Sequence, residues 1–237
     1  MKKLNKKTIS LLFITSIVLN VLFLAYEIKK NLWTHSQNKL NQELEIKQPD
    51  SVTYFIGRNE VFVKLPNDSN EVIMLGNSLT QNFEWHEMFR SVNIKNRGIN
   101  TDVTKGILQR LDEVIESKPK KIFIEIGIND IRKNYSIDSI FRNYVKIIVT
   151  IKRKSPETKI YIQSLLPSTK SLNNKIIDSN KRLKDYSVKN NIVFIDLYSS
   201  FVSGQILNPI YDCGDNLHLS GSGYLEWCRL IKDYINE

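Results

Sequence analysis

The chain has 237 residues, of which 41% are hydrophobic and 25% are charged, a composition typical of a globular protein that excludes wholesale disorder. Its formal net charge is +9, yet it contains no basic patch interleaved with aromatic residues, so we expect no nucleic-acid partner. Two cysteines exclude a disulfide-rich scaffold and offer no metal-ligand spacing, and we expect neither a metal nor a cofactor.

The amino terminus has the pattern of a membrane-targeting segment. Four lysines occur within the first seven residues, and the apolar run 8–26 contains no charge. This run is near the lower length limit for spanning a bilayer and lacks an Ala-x-Ala cleavage site, which favours an uncleaved anchor helix over a removed signal peptide. We therefore expect residues 1–27 to form a cytoplasmic basic flank and a transmembrane anchor. The remainder would be extracytoplasmic, in a bacterial cell envelope.

Residues 28–70 are interpreted as a juxtamembrane linker, because they are mostly polar before Pro49 and contain only two short apolar runs, 54–56 and 61–63, that could be extended. The main domain is expected over 71–237. There, short β-branched runs alternate with longer segments of helical periodicity. The predicted strands are 72–75, 92–96, 121–126, 159–165 and 192–197, and the predicted helices are 79–89, 103–116, 137–154, 175–189 and 223–235.

This alternation predicts an α/β domain with a parallel sheet and helices on both faces. Ligands of such sheets bind beyond the carboxyl ends of the strands. Four loops that follow strands carry polar residues suited to chemistry, namely 76–79, 96–100, 127–130 and 212–220. We expect these loops to meet at one edge of the sheet.

Ser78 lies where an apolar strand gives way to a helix, which suits either a helix cap or a nucleophile. A hydroxyl nucleophile needs a base, and the chain has only three histidines. His35 lies in the predicted linker, and His86 lies two turns into the helix after Ser78. His218 is therefore the candidate base.

Asp215, three residues before His218, could orient the imidazole through Nδ1, and Asp212 is a possible substitute. Gly98 and Asn129 follow the second and third predicted strands. A backbone amide at Gly98 and a side-chain amide at Asn129 make an oxyanion hole plausible, although each residue also suits an ordinary turn.

With these residues in place, the chain resembles the SGNH hydrolases, the GDSL-type esterases and lipases. The four residues that name that family match Ser78, Gly98, Asn129 and His218, in order. The resemblance implies a flavodoxin-like three-layer α/β/α fold with a five-stranded sheet of order 2-1-3-4-5. It also implies hydrolysis through an acyl-serine, with Ser78, Asp215 and His218 catalytic and with Ser78, Gly98 and Asn129 forming the oxyanion hole.

The sequence is similar to the branch of carbohydrate O-acetylesterases and platelet-activating-factor acetylhydrolase-like enzymes. The expected substrate is therefore a short-chain O-acyl ester, O-acetyl in particular, on a small molecule or a glycan. Asn77 departs from the family's usual Asp. A non-catalytic glycan- or lipid-binding module on the same scaffold is the alternative.

Two further properties stay open from the sequence. Cys213 and Cys228 could pair in an extracytoplasmic domain, with a buried free thiol as the default interpretation. The sequence does not predict the oligomeric state.

Overall fold

The structure, a computed structural model, describes residues 23–24, 26–30 and 51–237. The chain divides into two compact units, Met1–Pro49 and Asp50–Glu237. In the first unit, residues 23–24 and 26–30 are helical. The predicted anchor run, 8–26, lies largely outside the described residues. Across the described part of the chain, no helix has the length and apolar character needed to cross a bilayer, which overturns the predicted membrane-anchored, extracytoplasmic localisation.

The second unit is built on a five-stranded parallel sheet of order β2-β1-β3-β4-β5. The strands are β1 (Val72–Gly76), β2 (Ile94–Gly98), β3 (Lys121–Glu125), β4 (Lys159–Gln163) and β5 (Val193–Ile195). Every residue of β1 and β3 is buried, as expected for central strands covered on both faces. The predicted three-layer α/β fold and strand order are confirmed.

Nine helices of this unit carry the labels α1 to α9. They are α1 (Ser51–Lys64), α2 (Ser78–Gln81), α3 (Trp85–Met88), α4 (Thr104–Glu116), α5 (Ile128–Arg132), α6 (Ile137–Lys154), α7 (Asn173–Lys189), α8 (Tyr198–Phe201) and α9 (Gly221–Asn236). A single-turn 3-10 helix spans Lys170–Leu172, and β6 (Val202–Ser203) pairs antiparallel with β7 (Ile206–Leu207). The long predicted helices within the α/β core therefore exist, apart from the one after Ser78.

The helices pack on the sheet through both apolar and polar contacts. Lys121 at the start of β3 is buried and donates from Nζ to the Tyr234 carbonyl of α9 at 2.7 Å. Trp227 of α9 donates to Gln163 of β4 at 2.6 Å. On the opposite side, α4 packs against α6, and α6 packs against α7. The sheet ends that carry the candidate site are thus held between two helical layers.

The single helix predicted over 79–89 is instead two short helices, α2 and α3. The carbonyl of Thr80 at the end of α2 accepts hydrogen bonds from the Trp85 indole at 2.8 Å and from the Asn96 amide at 3.0 Å. Asn96 also donates to the Phe83 carbonyl at 3.0 Å. Because these side chains satisfy the carbonyl groups at the break, the helix can end and restart at little cost.

The segment predicted as extended pieces of a linker is the helix α1. Phe62 is buried, and the guanidinium groups of Arg58 and Arg97 each lie 4.8 Å from the centre of its ring. Tyr54 accepts a hydrogen bond from Gln81 at 2.8 Å. The helix therefore packs within the same compact unit as the sheet. The domain boundaries predicted at residues 27 and 70 stay predictions.

Candidate active site

Ser78 is the first residue of α2, directly after β1 and Asn77. Asn77 caps the helix, because its Oδ1 accepts the Leu79 N–H at 2.9 Å. The turn is tightly enclosed: a Cβ at Gly76 would lie 2.1 Å from Thr80 Oγ1, and one at Gly98 would lie 2.3 Å from the Gln81 nitrogen. Only glycine fits at either position. The Ser78 hydroxyl is thereby held at the carboxyl edge of the sheet, with 5% of the residue exposed.

His218 lies within hydrogen-bonding distance of both Ser78 and Asp215. Its Nε2 is 2.9 Å from Ser78 Oγ, and its Nδ1 is 2.6 Å from Asp215 Oδ2. Asp215 Oδ1 also accepts the backbone N–H of His218 at 2.8 Å. A carboxylate at Nδ1 holds the proton there and leaves Nε2 as the acceptor towards the serine.

The environment of Asp215 keeps its carboxyl group ionised. Burial acts to raise its pKa, but the hydrogen bonds from the His218 side chain and backbone and the charge of His218 outweigh that effect. The Leu217 N–H contributes a further hydrogen bond. Together they lower the pKa of Asp215 to about 2. Asp215 is therefore a carboxylate over the whole range in which an imidazole can act as a base.

Asp212, the substitute considered from the sequence, has a different set of contacts. Its Oδ1 accepts the backbone N–H groups of Gly214, Asp215 and Asn216 at 3.0 to 3.2 Å. The loop is closed further by the Cys213 N–H, which donates to the His218 carbonyl at 3.0 Å. Asp212 thus shapes the loop that presents His218, and Asp215 makes the contact with the imidazole.

The three predicted oxyanion donors lie on neighbouring strand ends, but they are not equally free. The Ser78 N–H is in the first turn of α2, where a helix has no internal acceptor for it. The Asn129 amide donates to the Asp102 carbonyl at 3.0 Å, which occupies one of its two hydrogens. The Gly98 N–H donates to Asn96 Oδ1 at 2.9 Å and is therefore engaged within its own strand.

A buried arginine that the sequence analysis missed connects these strand ends. Arg110 Nη2 donates to the carbonyl of Gly76 at 3.1 Å and to that of Arg97 at 2.8 Å. Its Nε donates to Asp102 Oδ2 at 3.0 Å, and both side chains are buried. Burial lowers the pKa of Arg110 and raises that of Asp102, and each partner opposes the shift of the other. The pair ties together the ends of β1 and β2 and the loop that Asn129 contacts.

Glu125 is a second buried ionisable group that the sequence analysis missed. It ends β3, in register with Gly76 of β1, and is fully buried. Within the described part of the chain, neither of its carboxyl oxygens has a hydrogen-bond partner. Burial raises its pKa to about 8, so the group is mostly protonated at neutral pH.

Other side chains singled out by the sequence lie away from these contacts. Trp85 is fully buried against Trp227, at a centroid distance of 5.2 Å, so it is a core residue. His86 is exposed beside Glu84 and Glu87, whereas His35 falls outside the described residues. Within the described residues Cys213 and Cys228 are both free thiols, exposed and buried respectively.

Two groups of potential metal ligands, one exposed and one partly buried, occur among the described residues. They are Glu84, His86 and Glu87 on one surface and Asp212, Cys213 and Asp215 beside His218. The carboxylate of Asp215 is already hydrogen-bonded to His218. We assign no metal to them.

Known proteins are similar to this chain in sequence and in fold. Residues 74–225 match the GDSL-like Lipase/Acylhydrolase family. Platelet-activating factor acetylhydrolase IB subunit alpha2 of Rattus norvegicus is 29% identical over 210 residues, which cover 86% of this chain and 83% of that protein. The structure of a GDSL-like lipase from Bacteroides thetaiotaomicron is 28% identical, with a TM-score of 0.69, and the match covers 77% of this chain and 97% of that one.

An acetylxylan esterase from Geobacillus stearothermophilus has the same fold at 16% identity, with a TM-score of 0.61 over 72% of this chain and 95% of that one. The family match alone spans more than half of the present sequence. The chain therefore belongs to the GDSL-like lipase/acylhydrolase family and is a carboxylic ester hydrolase.

Proposed function

We propose that this hydrolase is a serine esterase that removes short acyl groups, O-acetyl groups in particular, from small esters or O-acetylated glycans through an acyl-serine intermediate. The observation that carries the proposal is the continuous set of contacts from Asp215 through His218 to Ser78, at 2.6 and 2.9 Å. These are the distances required of a nucleophile, its base and the group that orients the base.

In the acylation step, Ser78 Oγ attacks the ester carbonyl while His218 Nε2 takes the hydroxyl proton. The tetrahedral intermediate collapses with loss of the alcohol, which receives that proton from the imidazolium. Water then attacks the acyl-serine with His218 again as base, which releases the carboxylic acid and restores Ser78. Asp215 stays ionised and stabilises the imidazolium in both halves of the reaction.

The developing oxyanion would accept hydrogen bonds from the Ser78 N–H and from the second hydrogen of the Asn129 amide. The Gly98 N–H can join them by sharing its hydrogen between Asn96 Oδ1 and the substrate, or by releasing Asn96 as substrate binds. One such donor is worth about 3 to 4 kcal/mol of transition-state stabilisation. Two free donors and a third that must be released form a working oxyanion hole.

The preference for an acetyl group draws on the relatives. One is named for acetylhydrolase activity and another, which shares only the fold, for acetylxylan. The alternative of a non-catalytic binding module relied on Asn77. Because Asn77 caps α2 through the same kind of side-chain oxygen that Asp would supply, that departure leaves the nucleophile turn intact and does not favour the alternative.

The test is hydrolysis of p-nitrophenyl acetate by the purified protein. We expect Ser78→Ala and His218→Ala each to lower kcat/KM by about 10⁴-fold or more, because the residues act as a unit. His86→Ala, which removes an exposed histidine on α3, is the matched control and should retain full activity. Full activity of Ser78→Ala would refute the mechanism. A series of p-nitrophenyl esters of increasing chain length should show the highest kcat/KM for acetate.

A further inference from the structure

A cleft of about 330 Å³ lies between α1 and the loop that follows β2. Val52 and Phe55 of α1 form one wall, and the residues from Asn100 to Val103 form the other. Lys105 from the first turn of α4 and Lys133 at the end of α5 also line it, together with Gly106 and Gln109 of α4.

The cleft adjoins the candidate active site through the backbone of its own wall. The Asn100 N–H donates to Gln81 of α2, three residues after Ser78, at 2.8 Å. The Asp102 carbonyl accepts the hydrogen bond of the Asn129 amide at 3.0 Å. One wall of the cleft is therefore bonded directly to Asn129 and to the helix that begins at Ser78.

The two lysines give the cleft two ammonium groups that are not held in ion pairs by the residues that the structure describes. Both are exposed, and neither makes an ion pair or a side-chain hydrogen bond with any residue that the structure describes. The carboxylate of Asp102 is committed to Arg110 Nε and to the Val103 N–H. Burial raises the pKa of Asp130, whereas hydrogen bonds from the Thr104 hydroxyl and backbone N–H and the Lys133 charge oppose that shift.

The dimensions and the walls of the cleft indicate which part of a substrate it receives. A two-carbon acyl group would fill only a small fraction of 330 Å³, whereas the alcohol part of an ester can be large. Phe55 and Val52 offer an apolar surface beside the two ammonium groups. An alcohol with an apolar or sugar ring and an acidic substituent matches both features.

We propose that this cleft is the binding subsite for the alcohol part of the substrate, and that Lys105 and Lys133 select alcohols that carry an anionic group, a carboxylate or a phosphate. This proposal rests on the proposed esterase function. It adds a charge preference that the acyl chemistry alone does not require.

The experiment compares three acetyl esters that differ in charge, using the full-length protein. Methyl 3-acetoxybenzoate is neutral, 3-acetoxybenzoate carries a carboxylate, and 3-acetoxyphenyl phosphate carries a phosphate. We expect a higher kcat/KM for at least one anionic ester, and the two anionic esters show which acid is preferred. Added salt should reduce that advantage, because the lysines are exposed and screened.

The variant Lys105→Gln/Lys133→Gln tests the two residues directly. We expect it to lose about tenfold in kcat/KM for the preferred anionic ester and to keep the wild-type value for the neutral ester. Lys184→Gln/Lys189→Gln, on the exposed surface of α7, removes the same charge elsewhere and should match the wild type on all three esters. Equal losses in the two double variants, or no loss in either, would overturn the proposal.

Failure of the subsite and failure of the esterase function give different results. If the wild type hydrolyses none of the three esters, the esterase proposal fails. Calorimetric titration with 3-hydroxybenzoate and with 3-hydroxyphenyl phosphate, the hydrolysis products of the two anionic esters, then decides the subsite alone. Binding that the Lys105→Gln/Lys133→Gln variant loses would support the subsite, and binding that is absent from the wild type or unchanged in that variant would refute it.

Discussion

Asp215 and Asp212 lie three residues apart in the same loop, yet their contacts separate their roles. Asp215 contacts the imidazole of His218, whereas Asp212 accepts three backbone N–H groups of the loop. An Asn side chain keeps one acceptor oxygen but has no negative charge. An Asp→Asn substitution at each position therefore shows whether the residue orients the His218 imidazole or only supports the loop.

We expect Asp215→Asn to lower kcat by about 10³ to 10⁴-fold, since an amide cannot hold the Nδ1–H tautomer or stabilise the imidazolium. Asp212→Asn should stay within about tenfold of the wild type, because its oxygen can still accept the loop N–H groups. Steady-state kinetics with p-nitrophenyl acetate measures both variants. A larger loss at Asp212 than at Asp215 would reassign the orienting acid.

Glu125 predicts a pH dependence of stability, because its buried carboxyl group has a pKa of about 8. An unfolded chain would restore an ordinary Glu pKa of about 4.3. Between these two values the folded state holds a proton that the unfolded state has released. The contribution of Glu125 to the unfolding free energy therefore falls as the pH rises from about 4.5 to about 8, and levels off above that.

The variant Glu125→Gln keeps the shape of the protonated acid and cannot ionise. We expect it to gain stability relative to the wild type as the pH rises, by about 3 to 5 kcal/mol between pH 5 and pH 9. Urea unfolding at both pH values measures the difference. Glu157→Gln, an exposed glutamate in the turn before β4, is the control and should show no such trend. A difference between Glu125→Gln and wild type that does not change with pH would contradict a buried, protonated Glu125.

At the scale of elements, Arg110 of α4 sets the relative position of the strand ends that carry Ser78 and Gly98. It bonds to the carbonyls of Gly76 and Arg97 and to Asp102. A lysine there keeps a positive charge for Asp102 but cannot donate to both carbonyls in the fixed geometry of a guanidinium. The substitution should therefore loosen the oxyanion site more than it weakens substrate binding.

We expect Arg110→Lys to lower kcat by about 10²-fold with little change in KM, since a displacement of about 1 Å at a catalytic group has an effect of that size. A phosphonate analogue of the tetrahedral intermediate should inactivate the variant more slowly in the same proportion. Arg229→Lys alters an exposed arginine paired with Glu226 and should change neither value. If Arg110→Lys raised KM and left kcat unchanged, Arg110 would not position the oxyanion site and its role would be structural.

Sequence periodicity predicted most elements of the core, and its failures have local causes. The helix over 79–89 divides because Asn96, from another strand, and Trp85 satisfy the carbonyl groups at the break. For α1 the sequence predicts two extended pieces, because its apolar residues form two short runs, 54–56 and 61–63, with Gly57 between them. Its contact with Arg97 joins residues far apart in sequence, which no local pattern reports.

In the candidate site too, residues marked by a local sequence pattern could be predicted, and residues defined by contacts made after folding could not. Ser78, Asp215 and His218 could be found from short motifs and their order, because strand ends of a parallel sheet meet at one edge. Arg110 and Glu125 could not, because their roles depend on which buried side chains and carbonyls surround them after folding. The engagement of the Gly98 N–H by Asn96 likewise depends on a side-chain conformation that the sequence does not specify.

At the scale of the whole molecule, α1 packs within the same compact unit as the sheet, Asp50–Glu237. The domain boundary predicted at residue 70 stays a prediction, and the contacts of α1 show how it can be tested. Phe62 is 2% exposed, enclosed by Arg58 and Arg97, and Tyr54 bonds to Gln81 beside the nucleophile turn. A chain that begins after α1 would lose all of these contacts.

We expect a chain that begins at Asp50 to fold cooperatively, and one that begins at Glu71 to be less stable by about 3 kcal/mol or more, the usual cost of removing a buried phenylalanine. Phe62→Ala in the longer chain should account for much of that loss. Val61→Ala, at a neighbouring position that is 47% exposed, should cost much less, since it removes less buried surface. Urea unfolding followed by circular dichroism compares the four proteins. Equal unfolding midpoints for the two chain lengths would mean that α1 does not stabilise the domain. A large loss of unfolding free energy confined to the shorter chain and to Phe62→Ala would make α1 part of the core of the domain.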